Sequence, residues 1–387
     1  MSVEATGIAA DSLDRLRGWK SEFVDFLRSI VAAESPSTVP ESQAEVRGHL
    51  SDALTSVGLA VEHVQGKTTG GHLLGTTPGA DRAPRQLLVG HMDTVWPLGT
   101  LQQMPIDIDG DVFSGPGTFD MKAGLAAGIF ALRALGEVGV EPAVAPTFLI
   151  TSDEEIGSPE SHDLIVDLAK SADRAFILEP ALGTDGKIKT RRKGAGGFTI
   201  HVHGKSAHGG LAPEEGASAI LELANVIRTL HELADPDRGI SVNVGTIEGG
   251  VRPNVVAARA TAEVDVRVWT VEDAREVERV VRGLEATVPG TRLEVIGGIR
   301  RRPLERTERN AALWEAARNV GDELGLALEE GGAGGASDGN ITSQYTPTLD
   351  GLGAVGDGAH AAHEFVLVDR VLERAALLAG LLAKPRE

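Results

Sequence analysis

There is no cysteine anywhere in the 387 residues, which removes disulfides, cysteine-ligated zinc and thiol nucleophiles together. Any metal the chain binds must be held by histidine and carboxylate. Positive charge is also short: 37 Lys and Arg stand against 56 Asp and Glu, a formal net charge of −19. Phosphate backbones need a surplus of cations, so this balance argues against a nucleic-acid partner, although a local basic pocket could still hold a small acidic molecule. No apolar stretch reaches the ~18 residues of a membrane span. The N-terminus, MSVEATGIAADSLD, has neither a basic nor an apolar leader segment, so no signal peptide is expected and cytoplasmic residence is the default. Repeats are absent too, and Gly331–Gly335 is the one low-complexity stretch.

What remains is an ordinary globular composition, 42% hydrophobic and 24% charged, at a length that suggests roughly two or three domains. Leu13, Leu16, Trp19, Phe23, Phe26, Leu27 and Ile30 recur at helical spacing and predict a helix over Ser12–Ala33. A second helix is expected over Ser42–Val57, then strands near Leu59–Val64 and Arg85–Gly90. Asp120–Leu135 reads as a helix whose small residues Ala123, Gly124, Ala126, Ala127 and Gly128 allow close packing on a sheet. Alternation of strands and helices up to Glu179 predicts a mixed, mostly parallel α/β sheet. After Gly194 the pattern changes to strand Phe198–His203, helix Glu214–Leu233, strands Ile240–Ile247 and Ala257–Trp269, helix Val271–Val288 and strand Thr291–Ile296. That β-α-β-β-α-β order is the split unit of ferredoxin-like α+β domains. Helices over Glu308–Gly325 and Val368–Leu382 close the chain. The expected organisation is a discontinuous catalytic domain, residues 1–194 and 303–387, interrupted by an inserted domain, 195–302.

Short runs repeatedly end in residues able to bind a metal ion. Arg85–Gly90 leads into His91 and Asp93, Asp111–Thr118 into Asp120, Ala145–Thr151 into Glu154 and Glu155, and Arg174–Leu178 into Glu179. His360 lies far downstream in a Gly-rich segment that also holds His363 and Glu364. Ligands of open α/β sheets sit beyond the carboxyl ends of the strands, so these residues should converge. Histidine and carboxylate together suit a two-metal hydrolytic site. Each residue also has a plainer reading. Asp93 could cap a turn beside an unrelated histidine, Asp120 could cap the helix after it, and Glu154-Glu155 could be an acidic first helical turn. Glu179 before Pro180 could be an exposed loop residue. Three such cases at strand ends favour the site.

These segments resemble the M20 metallopeptidase family, most closely its glutamate carboxypeptidase branch: Gly90-His91-Met92-Asp93-Thr94-Val95, Gly115–Gly124, Asp153–Ser158, Leu178-Glu179-Pro180, Gly204-Lys205-Ser206-Ala207-His208 and the His360 segment, in order over nearly the whole chain. The resemblance implies two zinc ions, with Mn²⁺ or Co²⁺ able to use the same ligands. It implies His91 and Glu179 on one ion, Glu155 and His360 on the other, and Asp120 bridging them through a residue whose peptide bond to Met121 is cis. It makes Glu154 the general base and later proton donor, and Asp93 the residue that orients His91. The inserted domain becomes a lid and homodimerisation domain whose His208 stabilises an oxyanion, in trans. Asn254, Arg267 and Arg302 fall where substrate-binding residues lie, Arg302 being suited to a substrate carboxylate; the rival reading of Arg302 is a solvated basic turn. Two departures bear on specificity: Asn254 is followed by Val255-Val256-Ala257 rather than a Pro three residues on, and the loop before His360 is richer in Gly.

The implied activity is hydrolysis of an N-acyl or peptide amide to release a C-terminal amino acid, glutamate foremost, from a small-molecule substrate without membrane involvement. An aminoacylase-like or biosynthetic deacylase is the alternative within the enzyme class, and a non-catalytic binder of amino-acid conjugates the alternative outside it.

Overall fold

The computed structural model describes residues 7–79, 85–142 and 144–385; the first six residues of the N-terminal stretch discussed above lie outside them. The chain divides into two compact units. One runs to Thr190 and resumes over Arg306–Gly332 and from Ser337 onward; the other comprises Arg191–Glu305 and Ala333–Ala336.

The first unit is built on a six-stranded mixed sheet in the order Ala60–Val64, His72–Thr76, Ala145–Thr151, Arg85–His91, Arg174–Ile177, Thr348–Leu349. The last four strands are parallel, and the first two add as an antiparallel edge. Ala145–Thr151 is buried along its full length, as expected of a central strand covered on both faces. On one face Leu88, Phe148 and Phe176 join Phe23, Leu27, Phe130 and Leu377. On the other, Leu87, Val89 and Ile177 meet Ile165, Val166 and Ala169 of helix His162–Ser171. Helix Ala123–Val138 packs against the sheet as its small residues predict: a Cβ on Gly124 would stand 2.0 Å from the Leu178 carbonyl oxygen. A second, four-stranded sheet links distant segments in the order Gly356–Asp357, Phe365–Leu367, Val112–Ser114, Asp107–Asp109.

In the second unit the strands Ser241–Gly249, Arg259–Val268, Gly194–His203 and Arg292–Arg301 form, in that order, an antiparallel sheet. Helices Ala219–Glu232 and Val271–Arg282 pack on it, and Phe198, Ile200, Val226, Val266 and Val277 fill the space between. This is the ferredoxin-like arrangement. Among the described residues no helix is long and apolar enough to cross a membrane.

Four predicted helices differ from expectation, and the one expected over Glu214–Leu233 begins only at Ala219, after a separate turn at Pro213–Glu215. The predicted N-terminal helix is two, Ile8–Gly18 and Lys20–Ala32. Trp19 leaves helical geometry at the break, and the Arg133 guanidinium stacks 4.0 Å above its ring. Helix 271–288 stops at Arg282, because the Thr287 and Val288 N–H groups donate instead to the buried Glu222 carboxylate. The helix expected from Asp120 begins at Ala123, since Asp120 and Met121 have non-helical backbone angles.

Candidate metal centre

Strands Arg85–His91, Ala145–Thr151 and Arg174–Ile177 run parallel as neighbours, so their carboxyl ends share one edge of the sheet. His91 ends the first, Glu154 and Glu155 follow the second, and Glu179 follows the third. Asp120 arrives differently. It follows Val112–Ser114 of the smaller sheet on a non-helical turn, with a cis peptide bond to Met121.

The His91 ring is oriented by its other nitrogen. Nδ1 lies 2.9 Å from the Asp93 carbonyl oxygen, which can only accept, so Nδ1 donates to it and Nε2 is the nitrogen turned toward the cluster. That Nε2 faces Asp120 Oδ1 at 3.2 Å and Glu179 Oε1 at 3.6 Å. Asp93 thus holds the ring through its main chain and, at 3.5 Å, through carboxylate Oδ1; that buried carboxylate also accepts the Ser37 hydroxyl at 2.6 Å and the Glu154 and Glu155 N–H groups at 3.3 and 3.2 Å. Those bonds secure the single short helical turn Glu154–Ile156; the next α-helix starts only at His162, so the pair is not the first turn of a helix.

His360 sits in the left-handed region at φ 60°, an uncommon conformation for a residue with a Cβ. Its Nε2 lies 3.1 Å from Glu155 Oε2 and 3.5 Å from Asp120 Oδ2. His363 is in neither cluster. Two ligand triads result, His91–Asp120–Glu179 and Asp120–Glu155–His360, with candidate atoms within 4.8 Å of one another in each. Asp120 directs one oxygen into each, and it makes no helix-capping bond.

Electrostatics and satisfaction both fit cations here. Burial alone would disfavour a charged His91, but the carboxylates of Asp120, Asp93 and Glu179 outweigh it and hold its pKa well above the ordinary value. Asp120 and Glu155 likewise push His360 up to about 10. Glu155 Oε1 is buried without a hydrogen-bond donor, a position a metal ion would satisfy. Nitrogen and oxygen donors without sulfur suit Zn²⁺, Mn²⁺ or Co²⁺.

One member was named from sequence only as a neighbour of His360. Glu364 is fully buried, and its carboxylate accepts from four donors: Gly117 N–H at 2.8 Å, Phe119 N–H at 2.8 Å, Asp120 N–H at 3.0 Å and Trp96 Nε1–H at 2.9 Å. Three of these are backbone groups, which leave no mark in a sequence.

The other residues named from sequence belong to the second unit. His208 Nδ1 accepts from the N–H groups of Gly210 and Leu211, both at 3.1 Å, so its proton resides on Nε2 and the exposed ring is a donor. The Asn254 carbonyl accepts from Gly209 N–H at 2.9 Å, beside that histidine. Arg267 pairs with Asp265 at 3.1 Å, and Arg302 is exposed. Arg191 and Lys193 lean on the Trp269 ring, at 4.6 and 5.4 Å.

A mixed α/β sheet carrying, at its carboxyl edge, two donor clusters joined by one carboxylate defines a metal-dependent hydrolase. Residues 87–384 match the model of peptidase family M20/M25/M40, and the chain belongs to that family. It is 29% identical over 363 residues to carboxypeptidase G2 of Pseudomonas sp. (strain RS-16), covering 92% of this chain and 87% of that protein. The fold is similar to that of aminopeptidase PepT from Bacillus cereus, with a TM-score of 0.77 and 22% identity over 94% of this chain and 98% of the other. It is similar also to a dinuclear metal binding M20 peptidase from Bacillus subtilis, with a TM-score of 0.68 and 16% identity over 95% and 98% of the two chains.

Proposed function

We propose that this protein is a two-zinc amidohydrolase that cleaves an N-acyl amino acid or short peptide and releases its C-terminal residue, with glutamate the leading product. The observation that carries the reading is the pair of triads sharing Asp120, with Glu154 next to Glu155 on a turn clamped by Asp93. His91 and Glu179 serve one ion, Glu155 and His360 the other, and Asp120 bridges. When bound, the ions polarise the scissile carbonyl and make water a stronger acid. Glu154 takes the proton of the attacking water and passes it to the leaving amine. His208 donates its Nε2–H to the oxyanion from a second copy of the chain; one such donor is worth about 3–4 kcal/mol. Arg302, Arg267 and Asn254 bind substrate, Arg302 at its free carboxylate.

Similarity to carboxypeptidase G2 over most of the chain supports the release of a C-terminal residue. Residues 195–302 act as the inserted lid, in a cytoplasmic homodimer. Strand Ser241–Gly249 supports that pairing: it lies at the sheet's edge, with Ile247 62% exposed and nearby Val251 83% exposed, and an open apolar edge invites a second strand.

The test is a hydrolysis panel on protein of known metal content, setting folyl-glutamate-type substrates and dipeptides against N-acetyl and N-succinyl amino acids. Activity confined to the short N-acyl compounds rejects the carboxypeptidase reading in favour of a deacylase. Glu154→Ala is expected to keep its metal and lose turnover by several orders of magnitude; a near-normal rate removes Glu154 from the mechanism.

A further inference from the structure

Three segments deliver the ligands of the more exposed triad, and two of them, around Asp120 and around His360, lie far apart in the sequence. His360 is 51% exposed against 1% for His91, and its backbone is held in the left-handed region, so something must fix it relative to Asp120. The connection is Glu364, 244 positions from Asp120. Its carboxylate takes the N–H groups of Gly117, Phe119 and Asp120, and its carbonyl oxygen takes Gly115 N–H at 3.3 Å. The next residues continue the junction as strand Phe365–Leu367, paired with Val112–Ser114. On the other side the Gly358–Glu364 turn closes through Ala361 N–H to the Gly358 carbonyl and Glu364 N–H to the Ala361 carbonyl, at 2.9 and 3.0 Å. Gly358 allows that closure: a Cβ there would stand 2.8 Å from Glu364 Cα.

We propose that Glu364 is a positioning residue of the metal centre, whose carboxylate sets Asp120 against His360 and thereby builds the ion site formed by Asp120, Glu155 and His360. The inference rests on the two-ion reading above. Four donors for one carboxylate leave no acceptor capacity unused. Replacing an oxygen by an amide turns an acceptor into a donor facing donors, which misplaces Asp120 without removing any ligand. Outer partners of metal ligands typically control affinity about 10–100-fold.

Zinc binding to the metal-stripped full-length chain, by isothermal titration and chelator competition, tests this, with the metal-free melting temperature recorded alongside. In Glu364→Gln the ion of the Asp120, Glu155 and His360 site is expected to weaken about 10–100-fold, and the ion on His91 and Glu179, which shares only Asp120 with the junction, to weaken less. Unchanged affinity for both ions overturns the proposal, however far the metal-free melting point falls. If that variant does not fold, Trp96→Phe carries the test: it removes one of the four donors, and the same ion should weaken by a smaller factor; affinities equal to the parent's overturn the proposal. Failure of the underlying reading looks different. There the parent chain does not bind two zinc ions, or His360→Ala still binds both.

Discussion

Helix Ala123–Val138 contains three glycines whose surroundings differ so sharply that alanine at each should give a different answer. Alanine is favoured over glycine in a helix interior by about 1 kcal/mol, so Gly128→Ala starts from that gain, and Gly124→Ala and Gly136→Ala, in the first and last turns, from a smaller one. At Gly136 a new Cβ meets nothing within 4 Å, and Gly136→Ala should keep the whole gain. At Gly128 the Cβ would lie 2.7 Å from Leu178 Cδ1 and 2.9 Å from Phe148 Cζ. Those are side-chain atoms in a filled core, where overpacking costs about 1–3 kcal/mol; the net effect should run from neutral to a loss of about 2 kcal/mol. At Gly124 the obstacle is the Leu178 carbonyl oxygen at 2.0 Å, when ordinary contact begins near 3.4 Å. A main chain in a central sheet cannot rotate away as a side chain can. Helix and strand must separate by more than an ångström, and the loss should exceed about 3 kcal/mol.

Urea unfolding of the metal-free protein measures the series, provided the slope stays constant so that midpoints report stability. A clear order is expected, Gly136→Ala above the parent and Gly124→Ala far below it. Because Leu178 directly precedes Glu179, Gly124→Ala should also weaken zinc binding, and Gly136→Ala should not. The reasoning is refuted if Gly124→Ala unfolds within about half a kcal/mol of the parent, the spread of harmless surface changes, or if Gly136→Ala destabilises.

Two further outcomes follow from charges. Burial would push the Glu160 carboxyl up, but hydrogen bonds from Thr68, Lys67 and Thr69 outweigh it and lower it to about 2. Its folded pKa is below the unfolded value of about 4.3, so its stabilisation is present above that pH and is lost as pH falls toward 2. Glu160→Gln should therefore lose about 1–2 kcal/mol at neutral pH and fall less steeply than the parent between pH 5 and pH 3, as read from thermal melts in matched buffers; parallel pH curves would disprove the link. Chelation should lower the melting temperature, since an ion present at a hundred times its dissociation constant adds about 2.7 kcal/mol. His91→Ala and His360→Ala should each reduce that difference, and a melt insensitive to chelator would show that the clusters hold no metal.

What could be read in advance, and what could not, divides along a physical line. The convergence of His91, Glu155 and Glu179 was legible because each follows a buried strand, and an apolar run stopping at a ligand-type side chain is visible in one dimension. Parallel neighbours then bring such ends to one edge without further information. The ferredoxin-like order of the second unit was legible for the same reason, from period and sequence of elements. The misses occur where partners arrive from elsewhere. Apolar spacing runs unbroken through Trp19, yet the helix breaks there, beneath a guanidinium from a helix more than a hundred residues on. Val271–Val288 keeps its helical pattern to the end, but Glu222 removes two amides from it. Asp120 looks identical whether it caps a helix or stands on a non-helical turn between two imidazoles. Glu364 is the extreme case, since three of its four partners are peptide N–H groups that every non-proline residue possesses. Ligands are chosen by side-chain chemistry and so advertise themselves; the groups that place them act on the main chain, and only the fold reveals which main chain they touch. It follows that a substitution preserving every ligand at this centre can still dismantle it, through Glu364 or Asp93, and that the damage would appear as lost metal affinity rather than as a missing residue type.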